Sequence, residues 1–81
     1  MVHDLSDDEL KARHPATQHL MSLFDSGHLP DHLTEIAWEA EDFATQMFLM
    51  LKDGPEMSAG LRHLLEAKDC FVRQRVIDHR T

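Results

Sequence analysis

The chain has 81 residues, is 42% apolar and 6% aromatic, and carries a formal charge of −7 at pH 7. One domain of this size buries about 60% of the surface its unfolded chain exposes, which excludes a two-lobed enzyme, a doubly wound nucleotide-binding fold and a deep pocket built by one copy alone. Three Gly and three Pro are too few for an all-β chain, and the acidic balance argues against duplex DNA, whose phosphates it repels.

Ser6-Asp7-Asp8-Glu9 has the Ser-x-x-Glu spacing of a capping box, so a short helix is expected to start there. Pro15 pushes His14 out of helical backbone and interrupts it, and a second short helix is expected over Ala16 to Phe24. Asp25-Ser26-Gly27-His28-Leu29-Pro30 reads as a turn, with Pro30 placed to open the next helix. A long helix should then run from Pro30 to Lys52. Leu33, Ala37, Ala40, Ala44, Met47 and Leu51 repeat along it at heptad spacing. Ile36, Ala40, Phe43, Met47 and Met50 form a second seam beside the first, so the apolar stripe is wider than a coiled-coil edge. Asp53-Gly54-Pro55 ends this helix, with Gly54 suited to a left-handed cap and Pro55 to a new helix start. The second long helix should run from Pro55 to about Asp78, with Met57, Leu61, Leu64, Leu65, Phe71, Val72 and Val76 on one face. So short a connection makes the two long helices antiparallel neighbours. The expected fold is all-α, one domain over residues 1–81. It is a hairpin of residues 30–52 and 55–78 with short N-terminal helices within 1–27, assembled as a homo-oligomer.

Several residues break the amphipathic pattern. Lys68 and Arg75 fall in the middle of the apolar face of the second long helix, where a charge is costly unless paired. Their stems can cover the core edge while the heads reach carboxylates on the first long helix; the alternative is an anion site at a subunit junction. Trp38 and Leu49, with Thr45 between them, form an apolar ridge away from both seams. That ridge suits burial against a second subunit or, at Trp38, a stacking surface for a base. Five of the eight cations, Arg62, Lys68, Arg73, Arg75 and Arg80, lie in residues 56–81. Arg62 with Glu66 and Asp69 with Arg73 have i,i+4 spacing, and an Arg fork also matches phosphate oxygens.

The seven histidines show no metal-ligand spacing, Cys70 has no nearby zinc-spaced partner, and no catalytic motif stands out. No cofactor, metal or catalytic residue is expected. A lone cysteine, no signal-like N-terminus and no long apolar run point to the cytoplasm and away from the membrane.

His28-Leu29-Pro30 with Leu33, then Gly54-Pro55-Glu56, then Leu61-Arg62-His63-Leu64-Leu65-Glu66-Ala67-Lys68-Asp69-Cys70 with Val72-Arg73, resembles small proteins of actinobacterial phages. Their pattern is roughly HLPxxL, GPE and LRxLLEAKDxxVR. The match covers Leu23 to Arg75 and implies a cytoplasmic location in an infected bacterium. In size, helix order and a late Arg, the hairpin also resembles phage anti-CBASS and anti-Thoeris sponges, oligomers that sequester cyclic di- or tri-nucleotide immune signals. That resemblance implies a ligand contact at Arg73. The sponge's lysine position falls near Ala37 to Glu39, where this chain has none, and its stacking aromatic falls near Ser26, so Phe24 or Trp38 would supply the flat surface. The expected function is a non-enzymatic sponge for small cyclic nucleotides at subunit interfaces, with Arg73, Arg62, Lys68, Arg75, Trp38 and Phe24 as ligand residues. The alternative is binding of a host protein through an acidic and apolar surface.

Overall fold

The computed structural model describes residues 5–80; residues 1–4, where the acidic N-terminal stretch begins, and Thr81 lie outside the described residues. The described chain is all-helical: α1 is Asp7–Lys11, α2 is Pro15–Ser22, α3 is Asp31–Met50 and α4 is Pro55–Arg80. Helix α3 packs along α4, α2 packs on α4, and α1 packs on α2. No helix among the described residues is long and apolar enough to cross a membrane.

The capping box forms as read from the sequence. The Ser6 hydroxyl accepts from the Glu9 N–H at 3.1 Å, and the Glu9 carboxylate accepts from the Ser6 N–H at 3.3 Å. Pro15 opens α2, as a residue with no N–H to satisfy is suited to do. His14 caps that helix by accepting from the Ala16 N–H through Nδ1 at 3.0 Å. Before α3, the Thr34 hydroxyl donates to the Leu29 and Pro30 carbonyls at 2.9 and 3.1 Å and ties the turn to the helix. The far end of α3 differs from expectation. It ends through an extended Leu51, φ −121° and ψ 156°, and Gly54 has no left-handed backbone. A side chain from elsewhere in the chain makes a glycine cap unnecessary. Arg13 Nη1 donates to the Phe48 carbonyl at 2.7 Å and Nη2 to the Leu51 carbonyl at 2.9 Å, both at the end of α3.

The core holds Leu5, Leu20, Met21, Phe24, Ala44, Phe48, Met57 and Leu61. On α3 the buried positions are Ala37, Glu41, Ala44, Thr45 and Phe48. This line shares Ala37 and Ala44 with the first expected seam and turns from there toward Glu41, Thr45 and Phe48, away from the second. Thr45 is therefore interior, and the expected Trp38–Thr45–Leu49 ridge is broken, with Trp38 and Leu49 each exposed on its own. Inside, the Glu41 carboxylate accepts from the buried Ser26 hydroxyl at 3.1 Å, as a buried polar group requires a partner. On α4, Phe71 departs from the expected core face and is 63% exposed.

Candidate functional site

The second seam of α3 is open. Ile36, Ala40, Phe43 and Met47 face Leu64, Ala67 and Phe71 of α4 across a groove on the hairpin. Two stretches of about 500 Å³ each adjoin there and share Phe43 and Leu64. The lining comes from α3, α4 and the turn between them, so the N-terminal helices cover another side of the hairpin. Ala40, Met47 and Leu64 form the groove floor and pack on the core from the other side. Phe43 at 55% and Phe71 at 63% exposure stand in the walls, with Leu51 at the hairpin end. An exposed apolar surface of this kind is a candidate binding surface.

The charges at the groove are unequal in availability. Helix α3 carries Asp31, Glu35, Glu39, Glu41 and Asp42 and no Lys or Arg. Glu39 lines the groove, while Asp78 and Glu56 line it from α4. Lys68 and Arg75 enter from the α4 side with their charges already engaged. The Lys68 side chain is only 13% exposed and its Nζ is 3.3 Å from Asp69 Oδ1. Arg75 Nη1 is 3.8 Å from Glu35 Oε2 and donates to the His32 carbonyl at 3.5 Å. Arg75 thus does what its mid-face position suggested, covering the core edge and reaching a carboxylate on α3. Lys68 finds its carboxylate on its own helix.

The six residues singled out from the sequence do not gather in one place. Lys68 and Arg75 line the groove. Arg62 and Arg73 lie on the opposite side of α4. Each is two residues from a groove-lining position, Leu64 and Phe71, which is about 200° around the helix. Arg73 joins Lys68 in a separate cleft of about 340 Å³ with His28, Leu29, Asp25 and Asp69. There its guanidinium lies 3.4 Å from the Cys70 sulfur. The expected i,i+4 pairs are replaced, since Asp69 takes Lys68 and Glu66 sits 3.5 Å from His63. Trp38 is exposed on α3. Phe24 is fully buried in the core, so it has no face to offer a base. Ser26, where the sponge resemblance would set a stacking aromatic, is interior and engaged with Glu41.

Sequence reading did not single out Phe43 or Phe71 as surface residues. Both sit on apolar seams, and the pattern alone does not say which seam the N-terminal helices leave open. It also passed over Arg13, whose guanidinium stacks 4.1 Å above the Phe48 ring and pairs with Asp53 at 2.8 Å. Asp53 further accepts from the His14 N–H at 2.9 Å, and this backbone hydrogen bond is the largest cause holding its pKa below the ordinary 3.8.

Compared with family models, with curated proteins and with solved structures, the chain finds no match.

Proposed function

We propose that this is a non-enzymatic binding protein that recognises another protein through the groove between α3 and α4. The observation that carries this reading is the open apolar seam itself: Phe43 and Phe71 stand exposed over a floor of Ala40, Met47 and Leu64. Burying them in a partner recovers roughly 25 cal/mol for each Å² of apolar surface removed from water. The likeness to actinobacterial phage proteins supports a host protein as the partner, met in the cytoplasm of an infected bacterium. The reading is tested by placing a photo-crosslinking p-benzoylphenylalanine at Phe43, at Phe71 and, as control, at Arg62 in cells that make the protein. Discrete protein adducts from the first two positions and none from the third are expected. Equal yields at all three, or none, would contradict it.

A second reading has one observation in its favour: Lys68 and Arg73 meet in the cleft that also holds His28. Facing the same cleft of a second copy in a homo-oligomer, they would offer several donors to a cyclic di- or tri-nucleotide, as in an anti-defence sponge. Asp25 and Asp69 in the same cleft oppose an anion. This reading is tested by thermal shift against a panel of cyclic oligonucleotides and cyclic ADP-ribose isomers. A ligand at 100 times its Kd stabilises by about 2.7 kcal/mol, and Arg73→Ala should abolish the shift. No shift with any panel member would remove this reading and leave the first.

A further inference from the structure

We infer that the occupant of the groove is a cationic amphipathic helix, one apolar stripe flanked by Lys and Arg. This inference rests on the reading of the groove as a protein-docking site and specifies what docks there. The first argument is shape. The groove follows α3 from Ile36 to Leu51 and α4 from Glu56 to Asp78. At 1.5 Å per residue those stretches are about 22 and 33 Å long, which suits a docked helix of roughly 15–18 residues. Small residues interrupt the apolar side chains at Ala40, Gly60 and Ala67, which lets a third helix approach to the usual interaxial distance of about 8–10 Å. An apolar trough between two helices is a known seat for an amphipathic helix, read by anchors at i, i+3, i+4 and i+7.

The second argument is charge. On the α3 wall Glu39 lines the groove and the helix has no Lys or Arg; Glu35 beside it is set against Arg75. The α4 wall adds Glu56 and Asp78. Lys68 and Arg75 do not reverse this field, because each already faces a carboxylate. Asp53 at the hairpin turn is likewise set against Arg13, so the carboxylates of Glu39, Glu56 and Asp78 face a docked helix with Lys52 as the opposing cation, and a chain of net charge −7 also draws a basic partner toward it. The same field disfavours a second copy in the groove. A second copy brings its own acidic α3, and of the four arginines of α4 only Arg75, already set against Glu35, lines the groove. Arg62, Arg73 and Arg80 are each two residues from a groove-lining residue and so point about 200° away.

The test uses three synthetic peptides of about 18 residues. One has a Leu/Ile stripe flanked by Lys and Arg, one has the same stripe flanked by Glu, and one is a scramble of the first that destroys the stripe. Binding is read by fluorescence anisotropy at low and high salt, and sedimentation of the free protein gives its oligomeric state. The basic peptide should bind at least tenfold tighter than the other two, and added salt should weaken it. Glu39→Lys should weaken it severalfold, and Phe43→Ser or Phe71→Ser at least tenfold, with helix content unchanged by circular dichroism. If the Glu-flanked peptide binds as well, the inference fails while groove docking survives. If the scramble binds as well, charge alone is responsible and the inference fails. If sedimentation shows a dimer that Phe71→Ser dissolves, the occupant is a second copy and the inference fails. If no peptide binds, or the two Phe variants bind unchanged, the docking reading fails with it.

Discussion

Ser26 and Glu41 form a hydrogen-bonded pair in the interior. Both are about 1% exposed, and the Ser26 hydroxyl donates to the Glu41 carboxylate at 3.1 Å. Removing that donor takes one hydrogen bond from a buried carboxylate, which costs about 1–3 kcal/mol. Ser26→Ala should lower the unfolding free energy by that amount in urea denaturation, and Glu41→Gln, which keeps an acceptor, by less. A Ser26→Ala chain as stable as the parent would show that this contact carries no weight. Thr45 presents the opposite case: its hydroxyl is buried and makes no hydrogen bond among the described residues. Thr45→Val keeps the branched shape and removes the unsatisfied group, so stability should hold or rise by about 1 kcal/mol. A fall of that size would mean that the hydroxyl has a partner after all. Neither residue's situation was readable from the sequence. Glu41 sits one step from an apolar seam position, and its burial depends on a turn residue fifteen positions earlier.

The helices were far more legible than their partners. The capping box at Ser6, the break at Pro15, the turn before α3 and the hairpin at Gly54-Pro55 are local signals, and each marks an element boundary within about two residues. The end of α3 was not legible, because its cap comes from Arg13, 35 residues before Phe48. Arg13→Ala removes two hydrogen bonds to α3 carbonyls, the stack on Phe48 and the ion pair with Asp53. A loss of about 2–3 kcal/mol is expected in thermal or chemical unfolding; a loss below about 0.5 kcal/mol would deny Arg13 a role in capping α3. Asp53 adds a dependence on pH. Its folded pKa lies below the ordinary 3.8, chiefly through the His14 N–H, so its stabilisation is present above that value. It is lost as the pH falls through the lowered folded value. The Tm gap between the parent and Asp53→Asn should therefore be full near neutral pH and shrink below pH 3.8. A gap that does not change with pH would contradict the assignment.

The molecule as a whole is an elongated hairpin, 44 × 23 × 17 Å, with its N-terminal helices packed on one side and an apolar groove left open on another. The two seams on α3 were visible as an unusually wide stripe, read as a sign of a homo-oligomer, and in the structure one side of that stripe lies open as the groove. Which part would be buried was not visible, because the N-terminal helices cover Ala44 and Phe48 and leave Phe43 uncovered. The cationic cluster on α4 drew attention for the same one-dimensional reason. In three dimensions Arg62 and Arg73 turn away from Lys68 and Arg75's groove, and the surface that remains joins exposed Phe to exposed Glu. Acidic side chains are thereby placed beside the open apolar groove. The most direct measurement is an amide chemical-shift titration of the labelled protein with the Lys- and Arg-flanked peptide. The expected result is a contiguous set of shifts on the groove faces of Ile36–Leu51 and Glu56–Asp78, with Arg62, Arg73 and the N-terminal helices unmoved. Shifts centred on Arg62 and Arg73, or no shifts at all, would contradict the account.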